Sequence, residues 1–112
     1  MNVLIVHAHP EPKSFTAALR DQAVETLQSQ GHEVRVSDLY AMNWNPVASA
    51  EDFSLRENPE YLAYALEQRH NSKAQTLATD IRQELDKLLC AGLLIINVPI
   101  YCFSTRAILK GW

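Results

Sequence analysis

The sequence predicts an α/β protein built on a doubly wound parallel sheet with strand order 2-1-3. Three observations carry the prediction. The chain opens on a short apolar, β-rich run, Val3-Leu4-Ile5-Val6, that passes through a turn-rich loop into a helical period. A second, almost uninterrupted apolar run, Leu93-Leu94-Ile95-Ile96-Asn97-Val98, has the pattern of a strand covered on both faces. Between and after these runs the elements alternate as β-α-β, a long excursion, then α-β-α, and right-handed crossovers place the first strand between the second and the third.

The first helix is expected from Ser14 or Phe15 to about Gln30, with Phe15, Ala18, Leu19, Ala23 and Leu27 forming an apolar stripe and Gly31 as its stop. His32 to Ser37 alternates as an edge-type strand would. Asp38 to Val47 leaves the sheet as an ordered loop rich in aromatics. From Ala48 to Ser72 the pattern weakens: Ser49 to Asp52 opens at most one helical turn, and Glu57-Asn58-Pro59-Glu60 marks a break or a helix start. A connection of that length in so short a chain is expected to be functional or interfacial. Lys73 to Leu89 carries the clearest amphipathic period, with Leu77, Ile81, Leu85 and Leu88 on one stripe and Glu84 and Lys87 off it. Gly92 breaks that helix. Pro99 to Thr105 forms the second strand-end loop, and Arg106 opens a last helix.

Composition narrows the function classes. With 112 residues, 47% of them apolar and 21% charged, the chain is expected to form at most one globular domain. A formal net charge of −3 without any clustered Lys/Arg run argues against nucleic acid as a partner. No basic leader and no apolar run of about 20 residues is present, and Cys90 and Cys102 form no CxxC, so a reducing cytoplasmic setting is expected.

In a doubly wound sheet, ligands bind beyond the carboxyl ends of the strands, at the point where the strand order reverses. Here that crevice falls between the loops His9–Phe15 and Pro99–Thr105. Only Gly31, Gly92 and Gly111 occur, so neither a GxGxxG turn nor a P-loop can be drawn. What is left for a phosphate is the amino end of the first helix, with Ser14 and Thr16 as hydroxyl donors and Lys13 as a charge. Ser14 equally fits a plain N-cap. His9 can serve a phosphate or act as acid or base, or can be a loop histidine satisfied by backbone; with His7 it lacks a third ligand for a metal. Tyr101 and Phe103 suit a flat ring system, though they can also pack on the last helix. Nothing cationic close in sequence activates Cys102, and no nucleophile triad can be assembled.

Three strings of sequence then coincide: Leu4-Ile5-Val6-His7-Ala8-His9-Pro10 with Ser14-Phe15, Ser37-Asp38-Leu39-Tyr40-Ala41-Met42-Asn43-Trp44-Asn45-Pro46, and Ala107-Ile108-Leu109-Lys110-Gly111-Trp112. On these the chain resembles the NAD(P)H:quinone oxidoreductase family of flavodoxin-like flavoproteins, and looks like its amino-terminal half. The resemblance implies a flavin, FAD before FMN, that takes hydride from NAD(P)H and passes two electrons to a quinone. It implies flavin-phosphate contacts at His9, Phe15 and Thr16, with Ser14 beside them. It implies a ring-side loop of Pro99, Ile100, Tyr101, Cys102 and Phe103, and a further flavin contact between Ala63 and Gln68. Family members are dimers with flavin sites at the subunit interface. Cys102 stands where the family usually has Trp, Arg106 where it has Pro, and Ala91-Gly92 where it has Ala-Asp. The family's glycine-containing flavin loop and the Tyr/His pair that assist hydride transfer have no counterpart in these residues, so no residue inherits a catalytic role. The expectation is therefore a partial flavin-binding domain over residues 1–112 of a quinone reductase. The alternatives are a non-catalytic ancillary subunit, as in potassium-efflux systems, or an inactive remnant.

Overall fold

The computed structural model describes residues 1–112. In chain order the elements are β1 (Asn2–His7), α1 (Phe15–Ser29), β2 (Glu33–Asp38), a 3-10 turn (Ala50–Asp52), α2 (Tyr64–Ala74), α3 (Thr79–Cys90), β3 (Leu93–Asn97) and α4 (Ala107–Lys110). They divide into two compact units: Met1–Pro46 with Lys87–Trp112, and Val47–Asp86.

The first unit is the sheet. β1 lies between β2 and β3, parallel to both, with Ile5 opposite Val36 on one side and Ile95 on the other. This is the predicted order, and a central position explains why four consecutive apolar residues from Val3 to Val6 are all buried. β2 alternates as predicted: Glu33 and Arg35 are exposed, Val34 and Val36 half-buried. β3 has a neighbour on one side only, and Leu93, Leu94 and Ile96 remain exposed. Beyond β2, the loop is ordered through Leu39 and Trp44, both buried, and through Asp38, whose carboxylate accepts the Ala41 N–H at 3.3 Å. That loop receives the end of the chain. A Cβ on Gly111 would fall 2.2 Å from the Pro46 carbonyl oxygen, so only glycine allows this approach, which joins two of the three strings quoted above.

α1 obeys its predicted limits. Ser14 is the N-cap, its Oγ accepting the Ala17 N–H at 3.0 Å, and Gly31 takes a positive φ of 85° just past the helix end. Its predicted stripe does not hold. Phe15 and Leu19 are exposed, while Ala17 is buried and Arg20, Ala23, Val24 and Leu27 are half-buried. Two polar ties set this rotation: the Thr16 carbonyl accepts from Asn97 Nδ2 at 2.9 Å, and Arg20 pairs with Asp38 at 3.0 Å.

The second unit contains a helix that periodicity did not predict. α2 occupies Tyr64–Ala74 and ends on Gln75, whose left-handed φ of 57° separates it from α3. The single helix expected from Lys73 to Leu89 is thus two pieces, with the segment around Leu77 pairing in extended form against Phe53. The cluster that organises this unit is polar. Glu67 and Asn71 are buried on one face of α2; the Glu67 carboxylate accepts the N–H groups of Glu57 and Asn58, both at 3.0 Å, and lies 3.4 Å from Arg56 Nε. The Asn58 N–H foremost, with the Glu57 N–H and the Arg56 guanidinium, outweighs burial and holds Glu67 below the usual carboxylate range. Asn71 Oδ1 accepts from the Leu55 N–H and the Thr76 hydroxyl. The predicted turn at Ser49 forms with a complete capping box, and the Phe53 and Tyr64 rings pack tilted at 59°, their centroids 5.0 Å apart. Burial, reinforced by donation to Asp52, pushes the Tyr64 hydroxyl pKa up to about 12. α3 also departs from expectation: Glu84 is buried, Lys87 reaches the Ser37 hydroxyl at 3.2 Å, and Leu85, Leu88 and Leu89 are exposed.

Candidate functional site

The loops after β1 and β3 leave the same edge of the sheet, and a hydrogen-bonded knot joins them. Asn97, the last residue of β3, donates through Nδ2 to His7 Nδ1 at 3.1 Å and to the Thr16 carbonyl at 2.9 Å, and its own carbonyl accepts the Ala8 N–H. One amide side chain therefore links the ends of both strands to the first turn of α1. His7 is 1% exposed, and burial first, then the nearby Arg20, lowers its pKa below the usual imidazole value. With Nδ1 accepting from Asn97, the neutral ring carries its proton on Nε2. Sequence reasoning set His7 beside His9 only as a metal pair and passed over Asn97. The signal for Asn97 was present: it is the one polar side chain in a six-residue apolar run.

The first loop presents donors. His9 Nδ1 accepts the Glu11 N–H at 3.0 Å, which leaves Nε2–H as the ring's free donor when neutral. Ser14 Oγ takes the Ala17 N–H and the Ser14 carbonyl takes the Ala18 N–H, so Ser14 is indeed a cap. The N–H groups of Phe15 and Thr16, the two residues before, donate to no such acceptor and are open at the positive end of α1. No acidic residue lies in that first turn. The Glu11 carboxylate is engaged by the Lys13 N–H at 2.9 Å. An imidazole N–H, two backbone N–H groups and the Thr16 hydroxyl thus make a set suited to phosphate oxygens.

The second loop presents rings. Tyr101 and Ser104 exchange both backbone hydrogen bonds, at 2.8 and 3.0 Å, around a two-residue tip of Cys102 and Phe103. Both tip residues have positive φ, 48° and 67°. This is the type I′ pattern, which favours Asn-Gly and costs non-glycine residues roughly 1–3 kcal/mol each. Phe103 gains no burial in return, being 103% exposed; Ile100 is 65% exposed and Tyr101 37%. Strained backbone that holds an apolar ring out in solvent is a feature of ligand-binding loops rather than of packing. Tyr101 carries the guanidinium of Arg106 over its ring, 4.1 Å from the centroid.

Nine residues singled out in the sequence thus fall at one end of the sheet within one unit: His9 in the loop after β1, Ser14, Phe15 and Thr16 at the start of α1, and Pro99, Ile100, Tyr101, Cys102 and Phe103 in the loop after β3. The Ala63–Gln68 segment belongs to the other unit, where Glu67 is a buried structural group. No cluster of three or more His, Cys, Asp or Glu could hold a metal ion, and no helix is long and apolar enough to cross a membrane.

A parallel sheet in the order 2-1-3, with the start of a helix and a ring-bearing loop meeting at its switch point, defines an open, doubly wound α/β unit. The chain belongs to the flavodoxin-like fold family, whose model matches residues 1–112. It is 49% identical over 111 residues to a human ribosyldihydronicotinamide dehydrogenase [quinone], covering 98% of this chain and 48% of that one. It is 44% identical over 110 residues to NAD(P)H dehydrogenase [quinone] 1 of Rattus norvegicus, covering 97% and 40%. A crystal structure of a Klebsiella pneumoniae protein described as a quinone reductase superposes with a TM-score of 0.95 at 42% identity, covering all of this chain and 43% of the other. The chain spans about half the length of the relatives it matches.

Proposed function

We propose that residues 1–112 form the flavin-phosphate and ring-side part of an FAD-dependent NAD(P)H:quinone oxidoreductase. The observation that carries this reading is the Asn97 knot, which holds a phosphate-accepting helix end and a strained aromatic loop side by side. His9 Nε2–H, the Phe15 and Thr16 amides and the Thr16 hydroxyl would hold the diphosphate. Pro99 to Phe103 would lie along the ring, with the Phe103 and Tyr101 faces excluding water from it. A flavin bound there supplies acceptance of hydride from NAD(P)H and two-electron delivery to a quinone. This chain's residues contribute binding and orientation; none is placed to move a proton. FAD is favoured over FMN because the quinone oxidoreductase family that the chain resembles usually carries FAD. Relatives of about twice this length, and the exposed edge of β3, support a flavin site completed by further residues and by a dimer partner. Two free cysteines support a reducing, cytoplasmic setting.

A chimera tests the reading: residues 1–112 joined to the remainder of the Klebsiella relative. It is expected to purify with flavin and to reduce a quinone with NAD(P)H; a folded chimera that takes up no flavin would overturn the proposal. Within the chimera, His9→Ala and Thr16→Ala should each weaken flavin binding on the order of tenfold, the worth of one hydrogen bond to a charged group. The 112-residue chain by itself is expected to bind flavin weakly, and tight stoichiometric quenching of flavin fluorescence by it would count against a site shared with further residues.

A further inference from the structure

We propose that Arg106 is a substrate-recognition residue that gives this site a preference for planar quinones bearing an anionic substituent. The inference rests on the reading of the Pro99–Phe103 loop as a platform for flat ligands, and it adds the charge that the platform selects.

The Arg106 guanidinium is stacked on Tyr101, 4.1 Å from the ring centroid, and makes no ion pair. Stacking uses the face of the ion and leaves its N–H donors unspent at the rim. Arginines that serve stability in this chain are used otherwise: Arg20 meets Asp21 and Asp38, and Arg56 meets Glu67. Arg106 is also the N-cap residue of α4 but makes no side-chain cap bond, so capping does not account for its position. The charge along this stretch of the chain is one-sided. From Lys87 to Trp112 the chain carries Lys87, Arg106 and Lys110 and no Asp or Glu, within a protein of net charge −3. A preorganised, unneutralised planar cation beside exposed Tyr101 and Phe103 is suited to a ligand that is flat, aromatic and negatively charged at its rim. Carboxylate or sulfonate meets an arginine fork in two parallel hydrogen bonds, which an uncharged quinone cannot match.

The test titrates the flavin-loaded chimera of residues 1–112 with the remainder of the Klebsiella relative, using anthraquinone sulfonate and its uncharged hydroxymethyl analogue, by calorimetry. The sulfonate is expected to bind on the order of tenfold more tightly. Arg106→Gln should bring the two probes within about twofold of one another, Arg106→Lys should keep part of the preference, and added salt should erode it in the parent chimera. Lys110→Gln should leave most of it. Circular dichroism verifies that each variant is folded. Equal binding of the two probes by the parent chimera, or a preference that survives Arg106→Gln, overturns the inference and leaves the platform reading intact. Binding of neither probe by a chimera that holds flavin overturns the inference, and a folded chimera that takes up no flavin overturns the platform reading with it.

Discussion

β1 runs through its unit with Val3, Leu4, Ile5 and Val6 each at most 2% exposed, whereas the most deeply buried side chains of the Val47–Asp86 unit are Glu67 and Asn71. At its centre one region excludes water with aliphatic surface, and those side-chain contacts are non-directional. The other is closed by a carboxylate and an amide that satisfy loop N–H groups one at a time. Burial of apolar area tolerates small shifts, but a buried polar network loses the full desolvation cost of any group left without its partner. The two regions should therefore fail under different perturbations.

The largest effect is expected in the sheet. Ile5→Ala removes a side chain at 0% exposure between two strands and should cost about 2–5 kcal/mol, read as a lower denaturation midpoint with loss of amide protection throughout β1, β2 and β3. Retention of sheet protection would show that β1 is not the centre of its unit. Next, Asn71→Ala strips the Leu55 N–H and the Thr76 hydroxyl of their acceptor and should cost about 1–3 kcal/mol, confined to residues 47–86 and visible as protease cleavage near Leu55. Cleavage in the sheet unit would break the contrast. Ser49→Ala should remove about 1 kcal/mol through the lost cap and box at the 3-10 turn, measurable as faster amide exchange at Glu51 and Asp52.

Acid sharpens the same contrast with smaller steps. His7 is held neutral in the fold, so its stabilisation is complete above the unfolded value of 6.5 and declines as pH falls below it, because the unfolded chain then binds the extra proton. Glu67 is held ionised, so its contribution is present above the unfolded value of 4.5 and is lost as pH drops through its lowered folded value. On acidification, amide protection should weaken first near β1 and β3 and only at lower pH around α2. His7→Phe should remove the first step and leave the second; persistence of the first step in that variant would assign it elsewhere.

The sheet order and the meeting of the β1 and β3 loops at one end of the sheet were legible because they follow from local apolar runs and a handedness rule. So were the Ser14 cap and the Gly31 stop, which are properties of single residues. What was not legible depended on partners distant in sequence. The rotation of α1, which turns Phe15 and Leu19 outward, is set by Asn97 and Asp38, 81 and 18 residues from their partners. α2 was invisible to apolar periodicity because its inward residues are Glu67 and Asn71. The break at Gln75 carries neither Gly nor Pro, so a left-handed residue there leaves no mark in the sequence. At the site, the residue types were foreseeable and their knotting through Asn97 was not.

The hairpin tip at Cys102 and Phe103 sets robustness against use within two residues. Asn-Gly in their place would relax the backbone, and the protein would withstand more heat or denaturant. The same exchange would delete the one aromatic ring that stands wholly in solvent. Within these two residues, tolerance of heat and presentation of an aromatic ring to solvent are therefore opposed.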